Sequence, residues 1–451
     1  MIRIWKTNKY TILFLIASLL FYGSFAYDLV RTDFIKLLSL CVALFFFAYK
    51  LIQFEKSNLR FLLIFGILAR LVFFAATPNL SQDFYRFIWD GKLLVEGVNP
   101  YLHTPMELIG SEGFSTQFLE TLFEGMGTLS ASNHSNYPPI NQLFFYLGNV
   151  IGGKNILVNI IVLRFFIILA DVGIFYFGSK ILQLLKLPKQ QIHWYFLNPL
   201  IIIELTGNLH FEAIMLFFLV AALYFILQNK WIFGAVLFSF SISVKLLPLL
   251  LLPLFIRWFI KDTDKRSMLR LGSFYLLVGL VFLISFLPFL SAEMIEHYSE
   301  TVGLWFKKFE FNASIYYLVR EIGFYHKGFN IISIAGTRLA FLTLAAILLL
   351  AFFRKNNQPK TLFVSMLMAV SIYFFMSTTV HPWYLATPVL LCVFTRYKFP
   401  LIWSLAVFLS YFAYSNEFFV ENPWIITTEY LIVFGCFLKE VYLEKPILKG
   451  I

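Results

Sequence analysis

Residues Ser81 to Gly91 read Ser-Gln-Asp-Phe-Tyr-Arg-Phe-Ile-Trp-Asp-Gly, and Gly97-Val98-Asn99-Pro100-Tyr101 follows closely. Acids, an arginine and aromatics are concentrated here in a chain that is otherwise mostly apolar. A carboxylate such as Asp83, just past the end of an apolar segment, can take a proton from an attacking hydroxyl. Tyr85, Trp89, Asn99 and Tyr101 offer ring faces and amide groups of the kind that bind sugars or lipid head groups. The ordinary role of Asp83 would be that of an acid at a helix N-terminus. Arg86 and Asp90, four residues apart, would pair on a helix surface. The company Asp83 keeps favours chemistry on a substrate presented by the membrane.

Further clusters lie downstream. Tyr137-Pro138-Pro139 starts a helix after His134 and Asn136, and Tyr137 can line the same cavity as Asp83. Thr206 to Glu212 is a polar connection holding His210 and Glu212, with Glu204 just before it. Ionisable groups at such a depth usually face a cavity or a partner. Lys245 interrupts Ser-Ile-Ser-Val-Lys-Leu-Leu-Pro with no acid beside it in sequence. It can snorkel to the interface or hold a phosphate as a point charge. Because Arg86 has Asp90 at hand, Lys245 reads as the freer phosphate partner. His381-Pro382-Trp383-Tyr384 is denser than an interfacial aromatic belt requires and reads as a site wall. Phe309-Glu310-Phe311-Asn312 with Tyr316-Tyr317 reads as a lid or acceptor surface. Arg70 and Arg164 lie inside apolar segments and need partners, with Asp171 the candidate for Arg164. No P-loop, dinucleotide fingerprint, Ser-His-Asp motif or zinc spacing occurs in a suitable context, so energy for synthesis must arrive in an activated substrate. No cofactor is called for; a divalent cation is compatible with the chemistry.

The elements that position these residues are membrane helices. Sixty per cent of the residues are hydrophobic and 14% are charged, with 56 phenylalanines. Apolar stretches of about 20 residues recur, the length that crosses a hydrocarbon core, and they are continuous rather than alternating, which excludes a β-barrel. The net charge of +11 is spread over short loops, as the positive-inside rule expects, so nucleic-acid binding is not predicted. Cys41, Cys392 and Cys436 lie far apart and show neither metal spacing nor a disulfide framework. The first segment, after Arg3, Lys6 and Lys9, reads as a retained helix rather than a signal peptide.

The sequence reads as about 14 spans, near 11–27, 35–50, 59–76, 155–180, 191–206, 210–228, 231–245, 247–260, 268–290, 331–353, 361–379, 384–396, 400–416 and 424–439. Lys and Arg mark cytoplasmic connections at Lys50, Lys56, Arg60, then Lys180, Lys186, Lys189, then Lys261, Lys265, Arg266, Arg270, then Arg354, Lys355, Lys360, and in the tail Lys439, Lys445, Lys449. Acids crowd the other side: Asp83, Asp90, Glu96, Glu107, Glu112, Glu120, Glu124, and later Glu293, Glu296, Glu300, Glu310. The helix from Pro139 to Gly152 is too short to cross comfortably and would upset this balance. It is placed flat on, or dipping into, the outer face. The expectation is one membrane domain, 1–451, with outer loops at 77–154 and 291–330 and both termini cytoplasmic.

These motifs, taken together, resemble those of GT-C glycosyltransferases. Asp83-x-Tyr85-Arg86-x-x-Trp89-Asp90-Gly91 followed by Gly97-x-Asn99-Pro100-Tyr101 is similar to the first outer loop of bacterial polyprenol-phosphate-mannose-dependent mannosyltransferases. Tyr137-Pro138-Pro139, Asn198-Pro199-Leu200, the His210/Glu212 turn, Val244-Lys245-Leu246-x-Pro248 and His381-Pro382-Trp383-Tyr384 appear in that family's order. The likeness runs from about residue 59 to about residue 400. Two features depart from it. A Gly-His-Asn-Asp-type turn is replaced by Gly-Asn-Leu-His-Phe-Glu, and two extra spans precede the one leading into the first loop. The resemblance implies a GT-C fold, a lipid-phosphate sugar donor and an Asp base at Asp83, in a bacterial inner membrane.

The preferred expectation is therefore inverting transfer of a hexose, most naturally mannose, from a polyprenyl phosphate to a glycan or lipid acceptor. Asp83 is the base. Tyr85, Arg86, Trp89, Asp90, Asn99, Tyr101, Tyr137, His210, Glu212, Lys245, His381, Trp383 and Tyr384 contribute to substrate binding. The alternative is a transporter or flippase of lipid-linked glycans, although internal repeats and broken midplane helices, common in transporters, are not evident.

Overall fold

The computed structural model describes residues 2–111, 113–260, 265–416 and 418–443. Glu112, Lys261, Lys445 and Lys449 of the charge pattern lie outside the described residues. The described chain is helical, with one isolated bridge between Phe311 and Thr379. Among the described residues six helices are long and apolar enough to cross a membrane: Lys9–Tyr27, Phe34–Phe54, Ile156–Leu184, Lys265–Phe289, Ile332–Phe353 and Pro359–Met376. A seventh candidate is the broken pair Ile201–Gly207 and Glu212–Leu227. Other apolar segments form shorter helices, including Trp231–Val244, Leu247–Phe259, Pro382–Val393 and Phe399–Ser415. The predicted apolar stretches are thus helical, but several are interrupted where Pro or polar residues break the ladder. This is an all-helical integral membrane protein.

The chain divides into two compact units. The first comprises Met1–Leu80, Asp171–His210 and His381–Ile451. Its Leu59–Val72 helix is capped by Asn58, whose side chain accepts from Phe61 N. Gly66 lies against the Phe196 ring, where a larger residue would collide. Arg70 is fully buried; its Nε donates to Asp171 Oδ2 at 2.8 Å and its Nη1 to the carbonyls of Gly66 and Phe196, both at 2.9 Å. Tyr195 donates to the other Asp171 oxygen at 3.1 Å. Asp171 therefore serves Arg70, a pairing the sequence did not suggest. Only packing brings Arg70 to Asp171 across 101 positions.

The second unit comprises Ser81–Ala170 and Phe211–Val380. Its centre is the pairing of the Asp83–Val95 helix with Pro139–Gly152, whose bounds match the predicted short helix. Pro138 and Pro139 set its start. Gly91 abuts the Phe145 carbonyl, so the two backbones approach at a point no side chain could occupy. Asn149 Nδ2 donates to the Ile88 carbonyl at 2.8 Å, and the Phe87 and Phe145 rings stack at 4.6 Å. A third helix, Gln117–Ala131, covers the start of the first. It breaks at Gly127, with φ 73° and ψ 162°, a conformation that suits glycine. There the Gln82 amide donates to the Met126 carbonyl at 3.0 Å.

Candidate active site

Asp83 is the first residue of its helix and is half-buried; its N–H donates to Ser81 Oγ at 3.2 Å. One helical turn on, Arg86 is 5% exposed. Both line a cavity of about 180 Å³ together with Gln82, His134, Tyr137 and Thr301. The helix places position 83 and position 86 on one face because residues three apart are neighbours on a helix surface. The Pro138 turn brings Tyr137 in from the opposite side, and the Ala292–Lys307 helix brings Thr301 and Leu304.

Arg86 is held firmly. Its Nε donates to Asp90 Oδ1 at 2.6 Å, and its Nη1 donates to the carbonyls of Ser130 at 2.6 Å and Asn133 at 2.9 Å. Among the described residues Nη2 makes no hydrogen bond. Asp90 is fully buried and has its second oxygen taken by Ser135 Oγ at 2.6 Å and Gln142 Nε2 at 2.9 Å. Its work is to compensate and orient Arg86, leaving one guanidinium nitrogen for a ligand.

Tyr137 is half-buried at the cavity. Its phenol is pushed well above its ordinary pKa, first by burial and then by the carboxylates of Asp83, Asp90 and Glu212, with Arg86 opposing. It is therefore a proton-bearing hydroxyl among carboxylates, able to donate to a ligand oxygen. Tyr101 is fully buried behind it; its hydroxyl donates to the Tyr137 carbonyl at 2.6 Å. Asn99 braces the same turn, donating to the Phe289 carbonyl at 3.0 Å and accepting from Tyr101 N at 3.1 Å. Trp89 is fully buried with its ring toward Phe114, and the Tyr85 ring packs on Gly125. Neither lines the cavity. Asp83, Arg86 and Tyr137 thus meet, with Asp90, Asn99 and Tyr101 supporting them.

Lys245 corrects an expectation. Its Nζ donates to Glu212 Oε1 at 2.6 Å, so it is paired rather than free. Glu212 is 33 positions away, which is why sequence neighbours gave no hint. The Glu212 side chain is 2% exposed and its Oε2 makes no hydrogen bond among the described residues.

The remaining predicted residues sit in the first unit. His210 is buried and lies parallel to Trp383 at 3.8 Å between ring centroids; His381 is parallel to the same indole at 4.5 Å, and Tyr384 meets His381 edge-on at 5.3 Å. His210 Nε2 lies 3.7 Å from Glu204, which accepts from Tyr411 at 2.7 Å and from Asn208 at 3.4 Å. Sequence reasoning missed Gln82, Ser135 and Gln142 as partners of the site. It also left His134 as a bystander and did not single out His297, whose rings stack at 3.8 Å. Their spacing carries no motif. Among the described residues no three His, Cys, Asp or Glu gather closely enough to hold a metal ion.

Apolar helices supporting a carboxylate-arginine-tyrosine cavity define a membrane protein with the equipment for hydroxyl chemistry. The family model described as "Alpha-(1->6)-mannopyranosyltransferase, N-terminal domain" matches residues 25–261, and the chain belongs to that family, of the GT-C mannosyltransferase type. A second model, ALG3 protein, matches residues 208–434. Alpha-(1->6)-mannopyranosyltransferase A of Corynebacterium glutamicum is 23% identical over 202 residues, 43% of this chain and 37% of that protein. The Mycobacterium tuberculosis protein of the same name is 23% identical over 212 residues, 47% of this chain and 39% of its own length. Alpha-(1->6)-mannopyranosyltransferase B of Corynebacterium glutamicum is 26% identical over 150 residues, 32% of this chain and 23% of its own length. The chain thus aligns with under two-fifths of the length of each of these relatives.

Proposed function

We propose that the protein transfers mannose from a polyprenyl phosphate to a hydroxyl of a glycan or lipid acceptor, with inversion. The observation that carries the reading is Asp83, half-buried at the rim of a cavity it shares with Arg86 and Tyr137, inside the segment that matches the mannopyranosyltransferase model. The acceptor oxygen attacks the anomeric carbon as Asp83 takes its proton. The bond to the phosphate oxygen breaks, its electron pair stays on the phosphate, and Arg86 Nη2 is placed to meet the new charge. Tyr137 orients a substrate oxygen. In this reading about 14 segments lie in the membrane and the loops 77–154 and 291–330 face outward, with both termini cytoplasmic in a bacterial inner membrane. Membrane lipid surrounds the prenyl tail. A divalent cation, if the reaction uses one, would draw on the donor phosphate for ligands.

The test is product analysis after incubating purified protein in detergent with a panel of polyprenyl-phosphate sugars and acceptors. Covalent mannose transfer that disappears with Asp83→Asn is expected. Transfer undiminished in that variant would remove Asp83 as base. No transfer from any donor, with movement of lipid-linked glycan in vesicles, would favour the flippase reading.

A further inference from the structure

We propose that His134 is a ligand of the donor phosphate, presenting a ring N–H beside Arg86, and that His297 positions it. The inference rests on the mannosyl-transfer reading and adds residues to it. His134 lies on the loop between Gln117–Ala131 and Pro139–Gly152 and lines the cavity that holds Asp83 and Arg86. Its ring is stacked on that of His297, 3.8 Å between centroids and 15° from parallel. His297 is on the Ala292–Lys307 helix, the element that also sends Thr301 and Leu304 to the cavity wall. His297 Nδ1 is 3.2 Å from the Tyr101 carbonyl, and Tyr101 holds Tyr137. A chain of contacts therefore runs from the second loop through both histidines to the cavity.

The geometry restricts what His134 can do. One ring face is covered by His297, so that face cannot take a sugar ring. Neither ring nitrogen makes a hydrogen bond among the described residues, and neither is sealed from solvent. What remains for a ligand is the ring edge, and an imidazole edge offers an N–H. Close to a guanidinium that still has a nitrogen to give, such an edge suits an anionic oxygen.

The charges around His134 support this. Burial lowers its pKa, His297 and Arg86 lower it further, and Glu107 and Glu300 oppose them. Glu107 stands on Pro105–Leu108 with His103 nearby, and Glu300 on the same helix as His297. Free His134 is therefore neutral at pH 7, and an arriving phosphate makes the protonated form favourable. Binding then takes a proton from solvent. As the phosphate leaves the sugar it gains its second negative charge, and the imidazolium faces it. The acceptor's proton goes separately to Asp83.

The experiment is calorimetric titration of the purified full chain with a polyprenyl monophosphate, the leaving group itself, in two buffers of different ionisation enthalpy. The wild-type protein is expected to take up part of a proton at pH 7 and to bind more tightly as pH falls toward 6. His134→Gln is expected to bind roughly ten- to hundredfold more weakly, the size of a lost charged hydrogen bond, and to lose the uptake and pH dependence that the wild type shows beyond the second ionisation of the phosphate itself, at about pH 6. His297→Phe, which keeps a stacking ring, is expected to retain uptake, while His297→Ala reduces it. A thermal melt of each variant separates these effects from unfolding. Wild-type affinity and uptake in a folded His134→Gln, in a protein that transfers mannose, would overturn the role of His134 alone. A wild-type protein that neither binds the monophosphate nor transfers mannose would overturn the donor reading as well.

Discussion

The surroundings of Asp83 and of His210 solve the burial of ionisable groups in different ways. Near Asp83 the buried charges are paired. Arg86 meets Asp90, Asp90 meets Ser135 and Gln142, and a cavity stays open at the rim. Near His210 the protection is aromatic, with two imidazoles parallel to the Trp383 indole and Glu204 tied to Tyr411. Hydrogen-bonded pairs fix where a charge sits and leave its remaining valences directed. Stacked rings fix shape and exclude water with little directionality. The proposed chemistry draws on the first arrangement, and the second fixes shape.

Substitutions can break or sharpen that contrast. The largest effect is expected from Asp83→Asn. Transfer should fall by about 10²- to 10⁴-fold, the range for removing a general base, while the melting temperature stays close to wild type because Asp83 is half-buried. A large loss of stability would mean that Asp83 belongs to the architecture. Asp90→Ala should act on the fold as well, destabilising it by about 3–5 kcal/mol because it strands the nearly buried Arg86 charge. Denaturant melts check this, and a mild effect would show that the pair is less isolated than its geometry indicates. Trp383→Phe, which keeps an aromatic face for His210 and His381, should cost about 0.5–1.5 kcal/mol. If it abolishes transfer while the fold survives, the stack does more than pack.

The smallest effect concerns pH. Glu107 caps its short helix by accepting from Thr104 N at 2.8 Å, and this hydrogen bond holds its carboxyl below the ordinary 4.5. A depressed carboxylate contributes stability that is fully present above the unfolded value and is lost as pH falls through the folded one. The loop should therefore loosen only below about pH 4.5. Glu107→Gln should remove that acid-side slope in proteolysis or melting series while leaving behaviour at pH 7 nearly unchanged.

Much of this was legible from one dimension, for identifiable reasons. Apolar runs announce helices, so the Phe34–Phe54, Ile156–Leu184 and Ile332–Phe353 helices fall where hydropathy placed them. Pro138-Pro139 marked the start of its helix, and the four-residue spacing of Arg86 and Asp90 foretold their pairing. Partners far apart in sequence were not legible. Glu212 for Lys245, Asp171 for Arg70 and Ser135 for Asp90 are set by packing, and no periodicity connects them. Trp89 looked like a sugar platform from its type, yet burial turned its ring into the core. An aromatic's type gives its chemistry, and only the fold decides which way it faces.

The buried Arg70–Asp171 pair also bears on how the chain is made. Arg70 leaves the ribosome long before Asp171, which is 101 residues behind. At about 5–20 residues per second, the arginine waits roughly 5–20 s for its counterion. Alone in hydrocarbon it would cost several kcal/mol, on a helix of only 14 residues. Leu59–Val72 should therefore stay beside the insertion machinery, or at the lipid surface, until Ile156–Leu184 arrives. Nascent chains arrested before residue 171 should leave Arg70 reachable by aqueous probes, and chains arrested beyond residue 210 should not.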